Sequence, residues 1–384
     1  MKHRFGTSLA AGAAAALILF GADAARAQVT PASGYTPPDD TPAVKVGGTI
    51  FADDTYFQEP TQTDSDNNRI HANSFNITRA YINVTGNISH LVSFRLTPDV
   101  VRVGQVDGKD VPGLTNTLTY RLKYAYGQIN FDDLQNNEAM TGVAQWKGSW
   151  FRLGMQQTPY IDYEEQIYRY RFQGPIMVDR EGYMTSSDLG ATIHVNFPGN
   201  FGDLHFGVYN GEGYTRPEAN DQKAFQIRGS IRPFPMVAVL KGLRLTGFYD
   251  ADNYVKDAKR NRVIGSLQFE HPYFNFGFDY IKATDQNASA SKPELNSQGY
   301  SFWVTPQLPN GIGALIRWDY VQPYGYDVST LAKQRLIVGP AYWFPTVKGV
   351  AAAVLLNFEQ VKYARDSPKR PTEERYTMST LFNF

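Results

Sequence analysis

The chain reads as all-β: a transmembrane antiparallel β-barrel of about sixteen strands, with short turns on one rim and long loops on the other. Three observations predict it. Residues 374–384 alternate strictly, with Tyr376, Met378, Thr380, Phe382 and Phe384 on one side and Arg375, Thr377, Ser379, Leu381 and Asn383 on the other. About ten residues of such alternation ending in an aromatic is the pattern of a tilted spanning strand. The same two-residue period recurs upstream in apolar series that hold no charge, and the connections between these segments differ systematically in length.

From the N-terminus, Lys2 and Arg4 precede an apolar stretch from Leu9 to Phe20 and then Ala25-Arg26-Ala27, which predicts a secretory signal peptide over residues 1–27. Its removal takes Lys2, Arg4, Arg26 and Asp23 from the 37 basic and 37 acidic side chains, so the processed chain carries a net charge of about −2. That balance points to no nucleic-acid partner. There is no cysteine, which excludes disulfides, thiol catalysis and cysteine-ligated zinc. Residues 28–43, rich in Pro, Asp and Thr, read as a flexible periplasmic lead-in, and residues 44–384 as the barrel. The longest apolar run of the processed chain, 350–356, is far below the ~18 residues of a spanning helix. With 24 Tyr, 24 Phe and 33 Gly in a chain of negative mean hydropathy, a wall with one wet and one lipid face fits better.

Strands are expected at about 44–57, 74–88, 91–98, 116–131, 146–157, 186–198, 201–211, 222–234, 240–252, 260–270, 272–282, 297–307, 311–322, 333–345, 347–363 and 374–384. Four of them show the charge-free series plainly: Leu118, Tyr120, Leu122, Tyr124 and Tyr126; Phe225, Ile227, Gly229 and Ile231; Phe274, Phe276, Phe278 and Tyr280; Ala314, Ile316, Trp318 and Tyr320. A basic residue facing lipid at mid-membrane costs about 2–4 kcal/mol, which empties such a face of charge. Residues 58–73, 99–115, 158–185 and 283–296 are long polar connections. Alternating with them are tight turns at 87–90, 198–200, 271–272, 308–310 and 345–349. Long loops outside, short turns and both termini on the periplasmic side is the asymmetry of an outer-membrane barrel. The connection 132–145 is longer than its place in this alternation predicts.

The opposite phase of each strand gives the lumen: Arg79, Arg95, Arg121, Lys123, Arg152, Arg228, Arg232, Arg244, Arg262, Arg317 and Arg335, against the acids Asp250, Glu270, Asp279, Asp319 and Glu359. Bases outnumber acids on this reading, and fixed positive charge in a narrow pore with low-dielectric walls concentrates anions. The same arginines can instead hold the wall together by pairing across strands, with Arg317–Asp319 and Arg244–Asp250 as candidate pairs. Asp64, Asp66 and Asn68 have calcium-like spacing but lack the glycine and distant glutamate of an ion-binding loop, so no metal is expected. Sequons stand at Asn76, Asn83, Asn87 and Asn287, and the six histidines show no paired ligand spacing. No recognisable Ser, His and acid motif marks an enzyme, and no cofactor is implied. An outer-membrane hydrolase would need Ser and His together on the lipid-facing rim. A non-conducting barrel acting as adhesin, receptor or scaffold is the alternative to a channel.

Several stretches carry a resemblance to a known group: 75–81 (FNITRAY) with Gly86 and Phe94-Arg95; 151–156 (FRLGMQ) leading to Pro159-Tyr160; 208–214 (VYNGEGY); 228–233; and 339–345 (GPAYWFP) with 356–361 (LNFEQV). In order and spacing the chain resembles the phosphate-selective porins of the O and P type over nearly its whole processed length. The resemblance implies a trimeric sixteen-stranded channel whose third outer loop folds into the pore, with an arginine and lysine path for anions. The loop is then 158–185, with Tyr160, Tyr163, Arg169, Arg171 and Arg180 as constriction residues, beside Asp162, Glu164, Glu165, Asp179 and Glu181. The loop therefore mixes both signs of charge, and the chain shows no lysine-rich cluster.

Overall fold

The computed structural model describes residues 41–103, 116–131, 147–286, 289–323, 332–364 and 370–384. The expected signal peptide, most of the lead-in, the whole 132–145 connection and the sequon at Asn287 lie outside the described residues.

The wall is built from β1 (Ala43–Glu59), β4 (Asn73–Asn87), β5 (Val92–Arg102), β6 (Leu118–Asn130), β7 (Trp150–Gln157), β8 (Ser187–Asn196), β9 (Gly202–Tyr209) and β10 (Ala224–Ile231). It continues through β11 (Leu243–Ala251), β12 (Arg260–His271), β13 (Phe274–Asp285), β14 (Leu295–Pro306), β15 (Ile312–Gln322), β16 (Lys333–Trp343), β17 (Ala351–Tyr363) and β18 (Glu373–Asn383). Each pairs antiparallel with its neighbours, and β1 closes the barrel by pairing with both β4 and β18. All sixteen expected strands are present. At the seam Gly48 and Phe384 exchange backbone hydrogen bonds of 2.8 and 3.0 Å, so the final aromatic completes the ladder. Among the described residues, closure leaves the barrel wall with no edge strand.

The connections sort as expected: β4–β5, β8–β9, β12–β13, β14–β15 and β16–β17 are joined by tight turns on one rim, and the long loops lie on the other. Two connections on the short-turn rim are longer, β6–β7 at 131–149 and β10–β11 at 232–242. In the first long loop, β2 (Gln62–Thr63) and β3 (Arg69–Ile70) form a small hairpin. Its turn is closed by the Asp64 carboxylate, which accepts the Asp66 and Asn68 backbone N–H groups at 2.9 Å and the Asn68 side chain at 3.0 Å. Those hydrogen bonds, that of the Asn68 side chain first, hold the Asp64 carboxyl below its ordinary range. The calcium-like spacing is thus a turn that satisfies itself.

The outer face is an apolar belt: Ile227, Leu245, Val263, Phe278, Ile316 and Leu356 are all exposed, with like residues on the remaining strands. One expected series breaks. Pro98 pairs with Leu122 and Thr97 with Tyr124, leaving Lys123 as a bulge. Pro98 has no N–H to give to the ladder, and a bulge is the usual accommodation. The extra residue flips the phase, so Tyr124 and Tyr126, read from the sequence as lipid-facing, point inward, and Ala125, Gly127 and exposed Ile129 take the outer face.

Inside, the loop 158–186 folds into the barrel as α1 (Ile161–Tyr168) and α2 (Met177–Arg180). Tyr160, Ile161, Ile167, Tyr168, Tyr170 and Met177 are buried against one inward apolar residue from each of eight consecutive strands: Phe248, Ile264, Ile281, Trp303, Leu315, Ile337, Leu355 and Leu381. Burying six such side chains contributes roughly 1.5–3 kcal/mol each before the entropy of ordering the loop. Half of the wall therefore offers the loop a dry seat.

Candidate functional site

Polar side chains of the wall fix the loop at defined points along its length. The Tyr160 hydroxyl donates to Asp279 at 2.8 Å and lies 2.6 Å from Ser266. Tyr163 meets Ser230 at 2.7 Å and Thr246 at 3.0 Å. Trp303 Nε1 donates to Glu164 at 3.1 Å, Asn275 to the Ile167 carbonyl at 2.9 Å, and Trp343 Nε1 to the Tyr170 hydroxyl at 3.1 Å. At the far end Arg180 donates to both carboxylate oxygens of Glu359 at 3.0 and 3.1 Å. Gly174, at φ 150°, lies so close to the Arg180 guanidinium that a Cβ there would collide with it.

The arginines expected in the lumen divide into two groups. Arg262 donates to the Tyr183 carbonyl at 2.8 Å and pairs with Asp285 at 2.8 Å. Arg317 holds Asp319 at 2.7 Å and the Pro175 carbonyl at 2.7 Å, and Arg335 holds Glu181 at 2.5 Å and Glu359 at 3.1 Å. These three anchor the loop to the wall. Arg79 pairs with Asp99 at 2.7 Å, Arg228 with Asp203, and Arg244 with Glu270, not with Asp250. Arg232 donates to Asn200. In the loop Arg169 lies 3.6 Å from Glu270, and Arg171 pairs with Glu165 at 2.6 Å.

The second group is Arg95, Arg121, Lys123 and Arg152. None makes an ion pair among the described residues; their hydrogen bonds go to Asn83 (2.9 Å), Tyr214 (2.9 Å), Tyr81 (3.1 Å) and Gln128 (2.6 Å). Each also lies over an aromatic face, Arg95 4.5 Å from the Tyr124 ring and Arg152 3.7 Å from Trp150. All four stand on β5–β7, where the loop's apolar seat does not reach. Toward this side the loop presents Asp162 and Glu165, while Tyr163 turns to Ser230 and Thr246 on β10 and β11. Burial pushes the Glu165 carboxyl up, opposed by the Arg171 charge. Glu164, on the seated side of α1, is pushed up by burial and further by the charge of Asp279 beside it.

Sequence reasoning missed several inward acids, among them Asp53, Asp99, Asp188, Asp203 and Asp285, so the excess of bases is smaller than the strand phases alone imply. It also missed a histidine pair. His194 and His205 are direct cross-strand partners with ring centroids 5.6 Å apart, His194 stacked on Trp150 at 5.1 Å and its Nε2 3.1 Å from Asp203. These surround a cavity of about 70 Å³ beneath α1, which Arg152, Arg228 and Arg244 also line. The signal was the inward phase of both histidines at paired positions, which ligand spacing along one strand cannot reveal.

No family model matches the chain, and no curated protein matches it either. Solved structures do. The anion-selective porin from Comamonas acidovorans superposes with a TM-score of 0.59 at 9% identity, covering 90% of this chain and 100% of that one. The outer membrane channel DcaP of Acinetobacter baumannii gives 0.56 at 11%, covering 89% and 97%. The trimer form of OmpT, an outer membrane protein of Vibrio cholerae, gives 0.53 at 9%, covering 90% and 100%. At such identities the likeness establishes the barrel fold over nearly the whole chain.

Proposed function

We propose that this chain is a bacterial outer-membrane porin, a passive channel for small hydrophilic solutes with a mild anion preference, and not an enzyme. The observation that carries the reading is the stripe Arg95, Arg121, Lys123 and Arg152, four bases without an ion pair among the described residues, facing a loop folded into the lumen. Fixed charge of one sign beside a low-dielectric wall raises the local concentration of counter-ions, and arginine grips carboxylate or phosphate through paired N–H groups. Asp162 and Glu165 across the gap temper that field, which makes the preference mild. Export by a cleaved signal peptide, insertion in outer-membrane lipid and assembly as a homotrimer complete the reading, the last supported by the sequence resemblance. The same resemblance makes inorganic phosphate the first anion to try.

The test is conductance of the refolded chain in a planar bilayer, with reversal potential read across a salt gradient and then with phosphate replacing chloride. The expected result is steady conductance and a reversal potential of anionic sign that moves toward zero when Arg95, Arg121 and Lys123 are all changed to glutamine. Insertion without conductance would instead establish the non-conducting barrel, and a cationic reversal potential would reject the stripe.

A further inference from the structure

On the outer-loop side of the folded loop lies a second cavity, of about 270 Å³, whose polar lining has the opposite character. Three of its acceptors, Asp250 Oδ1, Glu212 Oε1 and Gln226 Oε1, are buried and have no hydrogen-bond donor among the described residues. Gln226 and Asp250 are direct cross-strand partners on β10 and β11, 6% and 5% exposed, and both face the cavity. The neighbouring carboxylates are already engaged. Asp252 holds Arg260 at 2.5 Å, and Asp188 accepts the backbone N–H groups of Leu189 (2.7 Å) and Gly211 (2.8 Å). Arg260 lies 3.9 Å from Glu212 Oε1, an ionic neighbour beyond hydrogen-bond distance.

Leaving buried acceptors unmatched is unfavourable, and three of them around one cavity lined by four carboxyl side chains, Asp188, Glu212, Asp250 and Asp252, against two guanidinium groups, Arg216 and Arg260, define what would satisfy them. We propose that this pocket binds a primary alkylammonium group. Such a group brings three N–H donors and one positive charge, matching the three acceptors in number and sign. Tyr183, Met184 and Tyr254 line the same cavity and offer an apolar and aromatic wall to the alkyl stem. A divalent cation is the poorer fit, because no three carboxylate or imidazole side chains among the described residues are placed to hold one. The site requires only the folded barrel and is independent of whether the channel conducts.

The test is calorimetric titration of the detergent-folded full chain with 1,4-diaminobutane. Saturable binding is expected, weakened at least tenfold by Asp250→Asn and by Gln226→Leu, which removes an acceptor without changing charge, and unchanged by Asp66→Asn in the first outer loop. Should Asp250→Asn fail to fold, Gln226→Leu and Glu212→Gln carry the same expectation. Absence of saturable binding to the unaltered chain, binding untouched by Gln226→Leu, or displacement of the amine by magnesium at a tenth of its concentration would each overturn the proposal.

Discussion

Glu359 is the point at which the folded loop is most exposed to a single substitution. Its carboxylate, 1% exposed on β17, receives Arg180 from α2, Arg335 from β16 at 3.1 Å, Arg375 from β18 at 2.6 Å and the Gln173 amide at 3.2 Å. In Glu359→Gln the shape is kept and the charge is lost. Arg335 retains Glu181 at 2.5 Å, and Arg375, about a third exposed, can hydrate. Arg180 cannot: it is 11% exposed, and its remaining hydrogen bond is to Gln173. Removing one partner of a buried pair costs about 3–5 kcal/mol; allowing for partial exposure and for the weak acceptor that remains, about 2–3 kcal/mol falls on the α2 half of the loop. At 1.4 kcal/mol per factor of ten, detachment of that half becomes roughly 30- to 150-fold more frequent. The assay is proteolysis of the detergent-folded protein between residues 170 and 181, with single-channel recording to detect brief openings above the main conductance. Combining Glu359→Gln with Arg180→Met should recover part of the loss, since no buried cation is then left unmatched. Cleavage rates and channel noise identical to those of the unaltered chain would refute the reasoning.

Three further outcomes are expected. Ile227→Arg places a cation on the apolar belt and should destabilise the folded barrel by about 2–4 kcal/mol if Ile227 lies at mid-membrane, read from the urea midpoint of reversible folding in bilayers. Deleting Lys123 removes the extra residue and leaves Leu122 opposite Pro98 and Tyr124 opposite Thr97, so Gln128 and Asn130 stay inward and insertion yield should match that of Lys123→Ala; a clear fall in yield on deletion alone would refute the bulge. Glu164, whose carboxyl is raised by burial and by Asp279, holds its proton in the folded state where the unfolded chain has released it. Its contribution is thus complete below the ordinary glutamate range of about 4.3 and declines as pH rises through the folded value; Glu164→Gln should flatten that decline and be at least as stable as the parent at pH 8, by thermal unfolding.

The barrel was legible because its rule has a period of two: lipid rejects charge along the middle of each outward series, so Ile227, Phe278 and Ile316 declare their face. The rule fails at Lys123 because the cause, a proline lacking an N–H, stands on the neighbouring strand, and strand pairing cannot be read along one segment. The loop's seat was hidden for a different reason. Phe248, Ile264, Ile281, Trp303, Leu315, Ile337, Leu355 and Leu381 each look like an isolated apolar residue in a wet phase, and only register brings them level. The alkylammonium pocket escaped likewise, since Gln226 and Asp250 become neighbours only across β10 and β11.

The same dependence on register decides what the lumen arginines do. Counted by strand phase they form one positive lining, but the acids opposite Arg262, Arg317 and Arg335 lie within hydrogen-bond distance, and these bases hold the loop in a nearly dry interior. A matched pair projects little field, while its loss leaves a buried charge uncompensated. On β5–β7 the hydrogen-bond partners are neutral amides and phenols, so the charge of Arg95, Arg121, Lys123 and Arg152 stays unmatched and acts at a distance. Selectivity and stability should therefore separate along the wall. Neutralising Arg121 shifts the reversal potential and leaves the folded loop in place, whereas neutralising Arg317 loosens the loop and moves selectivity only as far as the loop itself moves.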